Sequence, residues 1–304
     1  MRVAVAQMTA SIHLGTSPEG PEGFRPWALQ AKEAGCHLVL FPLLPVTLSD
    51  DGAFFGAVAA LARETGLMLG FAAETSGPTG TARGGYLFGT DGRLLGRQAQ
   101  TQVLPEERVG GIVPGTTLEP ISLPPPAPAG LKAGFLVGSD AWYPEVARIL
   151  TLKGAALLLA PVAMRAPYSP WRQVAAIWQQ VQQNQVFGLE ACLVGSGTAH
   201  SYAGRSAIFA PCEMTPGETG ILAQIGVDPK AIDPGQWADG LSAAGSAEPG
   251  LVVADLDFDA LQRTVDGYSL WEQQNLDFYR SFFPGVYGKT PAGSRETGDG
   301  GETP

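Results

Sequence analysis

The chain contains three cysteines that could act as nucleophiles, at positions 36, 192 and 212. Thiol chemistry on a carbonyl or nitrile carbon needs a thiolate, a base that takes its proton, and a fixed donor or cation that stabilises the oxyanion. Cys192 lies in the apolar run EACLVG, which is typical of inert core, and Cys212 follows Pro211 with no basic residue beside it to lower its pKa. The wide separation of the three cysteines argues against a disulfide framework.

Serine and histidine chemistry also lacks a complete set of partners. His13, His37 and His200 are isolated in the sequence and give no metal-ligand spacing, so neither a metal site nor a cofactor is predicted. Ser139 does not lie in a G-x-S-x-G turn, and none of the histidines lies in its segment. The sequence therefore argues against a Ser-His-Asp triad.

Segments with the character of active-site strand ends are nevertheless present. In chain order they are VAVAQM (3–8), HLVLFPLLP (37–45), GRQAQTQVLPEE (96–107) and GFLVGSDAWYPEVAR (134–148). Together they resemble the signature segments of the nitrilase, or carbon–nitrogen hydrolase, superfamily. Active members of that superfamily carry a glutamate in FPE, a lysine in a segment like RKTHLFPEE and a cysteine in a segment like ICYDxxFPE. The corresponding positions here are Leu43, Gln100 and Gly138, which the resemblance identifies as a vestigial triad.

None of the three replacements can perform the role of the residue that it replaces. Leucine offers no lone pair, glutamine no charge and glycine no side chain. A small alignment shift does not restore the missing groups: no lysine occurs between Lys32 and Lys132, and no cysteine between Cys36 and Cys192. The resemblance therefore implies a divergent superfamily member that lacks the Glu-Lys-Cys triad.

Other residues in the same segments are candidates for the pocket: Glu107, Ser139, Asp140 and Trp142. Glu107 matches the superfamily's second acid, which lies beside the lysine and helps to orient substrate; a solvated helix start is the alternative interpretation. Asp140 is expected to accept hydrogen bonds from backbone N–H groups at its turn rather than to catalyse. Leu43 or Trp142 is expected to fill the volume that glycine vacates at position 138.

The sequence also predicts the strands and helices that must position these residues. Short apolar runs bounded by Gly or Pro predict strands at 3–7, 37–42, 67–73, 85–89, 132–137, 156–161, 191–195, 206–210 and 251–256. Helical patterns at 24–34, 53–65 and 172–187, and from Pro144 to Gly154, fall between several of them. The alternation predicts an α/β fold with mixed sheets, and the resemblance implies a four-layer αββα sandwich.

Composition predicts one domain. Hydrophobic residues make up 45% of the 304, enough for a single sizeable core, and we place that nitrilase-like domain at 1–288. The polar stretch 226–250 is predicted to be an inserted surface loop, and 289–304, which lacks large apolar residues, a disordered tail.

Charge and hydropathy narrow the class of partner and the location. The formal net charge is −10 and no Lys/Arg cluster is present, which argues against binding to nucleic acid or to an anionic membrane. No apolar run reaches the roughly 18 residues of a transmembrane helix, and no secretory signal is visible. We therefore expect a cytoplasmic protein.

The favoured functional interpretation is a superfamily homologue that no longer hydrolyses C–N bonds and has a ligand-binding, regulatory or assembly role. Loss of the charged triad predicts a smaller, more apolar pocket, suited to a small neutral ligand or to none. The resemblance implies a homo-oligomer, or a hetero-oligomer with an active homologue. Two alternatives stay open: an amidase-like hydrolase of non-peptide C–N bonds that uses Glu107, Ser139 and Asp140, and a structural subunit whose pocket is filled by side chains.

Overall fold

The computed structural model describes residues 1–10, 23–48, 52–77, 80–197, 200–231, 248–267, 270 and 275–287. The chain divides into two compact units, Met1–Thr264 and Val265–Pro304. The predicted tail at 289–304 and most of the predicted loop at 226–250 lie outside the described residues. In the described part of the chain, no helix combines the length and the apolar character needed to cross a bilayer.

The strands of the first unit form one continuous hydrogen-bonded order, β5-β4-β3-β2-β1-β9-β8-β7-β6. Their bounds are β1 Arg2–Thr9, β2 Leu38–Leu48, β3 Met68–Gly77, β4 Gly80–Phe88, β5 Leu94–Ala99, β6 Ile121–Ser122, β7 Lys132–Phe135, β8 Ala155–Val162, β9 Phe187–Ser196, β10 Ser201–Ala203, β11 Ala207–Phe209, β12 Ile221–Gln224 and β13 Gly250–Asp255. Strands β1 to β3 are parallel, as are β7 to β9. The predicted hairpin is confirmed, because β3 and β4 pair antiparallel.

Helices alternate with these strands much as the sequence predicts. Their bounds are α1 Arg25–Glu33, α2 Ala53–Thr65, α3 Pro105–Val109, α4 Pro144–Leu152, α5 Pro170–Gln173, α6 Gln179–Asn184, α7 Phe258–Gly267 and α8 Leu276–Tyr287. A π-helical segment, Val174–Trp178, joins α5 to α6. In the second unit, the rings of Phe278 and Phe282 on α8 stack with their centres 4.6 Å apart.

The described residues of the first unit form three hydrophobic cores, which separate four layers. Along β1, Val3 and Val5 belong to the central core, whereas Ala4 and Ala6 pack with residues of α1 and α2. Because successive side chains of a strand point to opposite faces, β1 must lie between a helical layer and a second sheet layer.

The same alternation occurs in the other half of the sheet. Leu157 and Leu159 of β8 belong to the central core, and Leu158 and Ala160 pack with residues of α4 and α6. The two sheet layers thus face each other and each is covered by helices. This arrangement confirms the αββα sandwich.

The two sheet layers approach each other closely near the end of β4. A Cβ atom at Gly85 would lie 2.6 Å from the ring of Phe135 on β7, so only glycine fits there. This close approach brings the end of β7, and the turn that follows it, beside β4 and β5.

Candidate functional site

The turn after β7 brings Leu43, Gln100 and Gly138 together. It is a 3₁₀ turn, Gly138–Trp142, and Gly138 at its start has a φ of +55°, in the left-handed region. A Cβ atom on Gly138 would lie 3.2 Å from Oε1 of Gln100 and 3.7 Å from Cδ2 of Leu43. Leu43 reaches this point from β2, and Gln100 directly follows β5. That these positions descend from a catalytic triad stays a prediction.

Gln100 is wholly buried at the centre of a polar network. Its amide nitrogen lies 2.6 Å from Oγ of Ser139, 2.9 Å from Oε2 of Glu107 and 2.9 Å from the carbonyl oxygen of Gln102. Three acceptors therefore share the two hydrogens of one NH2 group. Its carbonyl oxygen accepts a hydrogen bond from Nη1 of Arg83 at 3.1 Å.

Arg83 brings a positive charge to the network from β4. Its Nη1 forms an ion pair with Glu107, and its Nη2 lies 2.8 Å from Oε1 of Glu74, which faces it across the β3–β4 ladder. Burial opposes the charge on Arg83, but the hydrogen bond that Arg83 donates to Glu74 and the charge of Glu107 outweigh burial, so the pKa of Arg83 is raised. The expectation of a more apolar site was wrong, because the charge comes from a neighbouring strand.

Glu107 is both a helix cap and a member of the network. Its Oε2 accepts a hydrogen bond from the backbone N–H of Leu104 at 2.9 Å, in the first turn of α3. Burial raises the pKa of Glu107, but the Leu104 N–H and the Arg83 guanidinium lower it further, and the net shift is downward. Glu107 thus lies at the start of a helix, as one interpretation predicted, but it is largely buried rather than solvated, and its role as a pocket residue stays a prediction.

Asp140 joins the 3₁₀ turn to the segment after β5. The carboxylate is wholly buried, and its Oδ1 accepts from Thr101 N at 3.0 Å, Thr101 Oγ1 at 3.0 Å and Gln102 N at 2.8 Å. Burial raises the pKa of Asp140 to about 6, although these donors act in the opposite direction. The expectation that Asp140 binds backbone N–H groups is confirmed; they belong to Thr101 and Gln102 in the neighbouring segment and to Val137 at the start of its own turn.

The remaining two candidates differ in placement. Ser139 is 8% exposed and donates its hydroxyl proton to the carbonyl of Gln102, while Oε2 of Glu107 lies 3.5 Å away. Trp142 ends the turn and is 44% exposed. Leu43 and Gln100, rather than Trp142, therefore adjoin the side-chain position that Gly138 leaves empty.

The hydrogen bonds of this network disfavour proton transfer by its members. Within the described cluster, Nε of Arg83 is the one buried side-chain atom without a hydrogen-bond partner. The Ser139 proton is bound to a carbonyl rather than to a base, and Glu107 is stabilised as a carboxylate, so it is a weak base. Such an arrangement favours fixed geometry over proton transfer.

The thiols are equally unsuited to catalysis. Burial raises the pKa of Cys36 to about 11, and burial also raises the pKa values of Cys192 and Cys212. Cys192 is wholly buried within the core between β9 and the helices, which confirms its prediction as inert core. The raised pKa values thus disfavour, for these cysteines, the thiolate that attacks carbon in amide hydrolysis.

A family model described as carbon-nitrogen hydrolase matches residues 2–212. Among curated relatives, N-carbamoylputrescine amidase of Solanum tuberosum is 26% identical over 156 residues, which are 49% of this chain and 46% of that protein. A hydrolase of Pseudomonas protegens is 39% identical over 82 residues, 27% of this chain and 28% of the relative. The chain thus aligns with less than half the length of each of these relatives.

Solved structures match over nearly the whole fold. The amidase of Nesterenkonia sp. AN1, as a variant in complex with butyramide, has a TM-score of 0.69 and 22% identity, covering 93% of this chain and 97% of its own. The same amidase with acrylamide added at its active-site cysteine has a TM-score of 0.68 and 22% identity, covering 92% and 99%. At this level of identity the likeness shows the fold.

Proposed function

This chain belongs to the carbon–nitrogen hydrolase family, and from that premise we propose that it is a non-hydrolytic member with a regulatory or assembly role. One observation carries the proposal: the side-chain position beyond Gly138 is bordered by Leu43 and by the oxygen of Gln100, not by a thiol, a carboxylate and an ammonium group. The former centre would serve as a structural network that holds β4, β5 and the 3₁₀ turn together.

The polar atoms of the network bind one another, which supports a structural role for this centre. Gln100, Ser139 and Glu107 direct their polar atoms at one another or at nearby backbone groups. A ligand entering here would have to break these bonds, and a buried polar group that loses its partner costs about 1–3 kcal/mol. The geometry therefore favours assembly or regulation over binding at this centre.

Amide hydrolysis is the direct test. The purified chain should release no ammonia from butyramide, acrylamide or N-carbamoylputrescine above a buffer control, because it lacks an activated thiol. Cys192→Ser and Cys212→Ser variants should behave like the parent. Turnover that one equivalent of a thiol reagent abolishes would overturn the proposal.

The amidase-like alternative makes a different prediction in the same assay. If Ser139 were a nucleophile activated by Glu107 or Asp140, a turnover would exist that Ser139→Ala abolishes. The lowered pKa of Glu107 and the three donors on Asp140 argue against this route. Loss of a measurable turnover in the Ser139→Ala variant would establish the alternative.

The assembly role rests on the outer surface of the first unit. Ile149 and Leu152 of α4 are 40% and 62% exposed, and Trp142 and Tyr143 lie exposed just before this helix. Adjacent exposed apolar side chains of this size are typical of interaction surfaces. Light scattering should give a mass of at least two chains, alone or with an active homologue; a monomer under both conditions would contradict this role.

A further inference from the structure

A second buried polar cluster surrounds Arg205. It shares no residue with the network of Arg83, Gln100, Glu107 and Ser139 beside Gly138. Arg205 precedes β11 and has a φ of 72°, in the left-handed region that non-glycine residues rarely adopt. Strained backbone of this kind persists where surrounding contacts hold it, and it is frequent at functional sites. The contacts of the Arg205 side chain are therefore the place to look for a function.

The guanidinium of Arg205 is buried without an acidic partner. The residue is 6% exposed, its Cζ lies 4.9 Å from the centre of the Tyr168 ring, and its Nη1 has no hydrogen-bond partner. Among the described residues, Arg205 takes part in none of the ion pairs. A buried cation without a counter-charge is costly, which points to a missing anion.

Glu190, which is connected to Arg205 through Gln173, does not supply a negative counter-charge. Nε2 of Gln173 donates both to the Glu190 carboxyl group and, at 2.9 Å, to the carbonyl oxygen of Arg205. Complete burial raises the pKa of Glu190 to about 8, so this group is protonated at neutral pH. The cluster then carries one positive charge, on Arg205.

A buried acceptor without a partner borders the same tyrosine. Gln224 is 4% exposed; its Nε2 donates to Oε1 of Gln173 at 2.7 Å, but its Oε1 has no partner. The Tyr168 hydroxyl donates to the same Oε1 of Gln173 at 2.9 Å. Tyr168 thus contacts Arg205, which has an unused donor, and shares an acceptor with Gln224, which has an unused oxygen.

We propose that the Arg205 cluster binds a small monocarboxylate that carries a hydroxyl group. The carboxylate would accept from Nη1 of Arg205, the hydroxyl group would donate to Oε1 of Gln224, and the Tyr168 ring would form one wall. A single negative charge matches the single positive charge, whereas a doubly charged phosphate would leave a buried net charge. Exposed Arg165 and Arg172, on the segment that carries Tyr168, add positive potential for attracting anions.

The test is a titration of the full chain with 13C-labelled L-lactate, followed by NMR. Acetate lacks the hydroxyl group, lactamide lacks the charge, and inorganic phosphate carries a higher charge; each should bind at least about tenfold more weakly than lactate. Arg205→Gln should weaken lactate binding by about tenfold or more. Arg93→Gln, which removes an arginine that is exposed in the β4–β5 turn, should bind like the parent.

Several outcomes would overturn the proposal. They are an absence of saturable lactate binding, equal binding of lactate and lactamide, tighter binding of phosphate, and unchanged binding by a folded Arg205→Gln variant. Lactate binding seen only after Glu190→Gln would show that Glu190 is itself the counter-ion of Arg205. The lactamide comparison needs no variant, so it decides the matter even if Arg205→Gln fails to fold.

Discussion

At the scale of single residues, Gly138 decides what this site can do. Its left-handed backbone allows the chain to turn from β7 into the 3₁₀ turn, and the missing side chain leaves Gln100 undisturbed. A side chain at this position would have to tolerate the strained backbone and a close oxygen neighbour. Glycine therefore avoids the strain that a side chain would meet at this position.

Gly138→Ala should lower the free energy of unfolding by about 1–2 kcal/mol, because L-residues are strained at a φ of +55°. The new Cβ would also lie 3.2 Å from Oε1 of Gln100, which must shift to admit it. The matched control is Gly56→Ala inside α2, where nothing lies within 4 Å; it should stabilise by about 0.5–1 kcal/mol. Urea denaturation measures both, and an unchanged midpoint for Gly138→Ala would contradict this prediction.

At the scale of elements, the Arg83 cluster joins β3, β4, β5 and α3. Glu74 and Arg83 lie opposite each other on the β3–β4 hairpin, and Glu107 reaches them from the first turn of α3. Their side chains are 27%, 14% and 17% exposed, so water screens the charges only in part. The hairpin and the short helix α3 are therefore coupled through one guanidinium.

Arg83→Met should destabilise the fold by about 2–3 kcal/mol, because it leaves the carboxylates of Glu74 and Glu107 without the cation that they share. Adding Glu107→Gln should recover part of the loss, since it removes one of the two negative charges. Arg93→Met, which breaks an exposed pair with Asp91, should change stability by less than about 0.5 kcal/mol. Equal effects of Arg83→Met and Arg93→Met would show that the cluster adds no stability.

Elements with strong apolar runs could be predicted from the sequence, and weakly patterned ones could not. The predicted strands did not include β5, β6, β10 or β12. The run LLGRQA of β5 mixes exposed and buried residues, and β6 has only two residues, so neither gives a clear signal. Their strand character comes from pairing with neighbours, which is information from distant parts of the chain.

The candidate site was predictable to the same degree. The resemblance of the flanking segments to the superfamily signatures located Leu43, Gln100 and Gly138. Arg83 was missed because its place beside Gln100 depends on the register of β4 against β3 and β5. The useful signal was the opposite charges of Glu74 and Arg83, which lie just beyond the bounds predicted for the two hairpin strands, since such charges often face each other across a ladder.

At the scale of the whole molecule, buried carboxyl groups should set how stability changes with pH. Burial raises the folded-state pKa of Asp140 to about 6 and that of Glu190 to about 8, both above their ordinary values. A folded state that holds a proton more tightly than the unfolded state loses stability as the pH rises. Asp140 and Glu190 should therefore make the free energy of unfolding larger at mildly acidic than at alkaline pH.

Glu190→Gln should remove the larger part of this dependence. Glu190 shifts from an ordinary value of 4.5 to about 8, so the free energy of unfolding should fall by about 1.4 kcal/mol per pH unit across that window in the parent chain. The glutamine oxygen can still accept the hydrogen bond from Gln173, so the variant should fold and become the more stable protein above pH 8. Urea denaturation from pH 5 to 9 measures the difference, with the exposed Glu33→Gln as control. Parallel profiles for the parent chain and Glu190→Gln would mean that Glu190 is ionised in the folded protein and has a cationic partner.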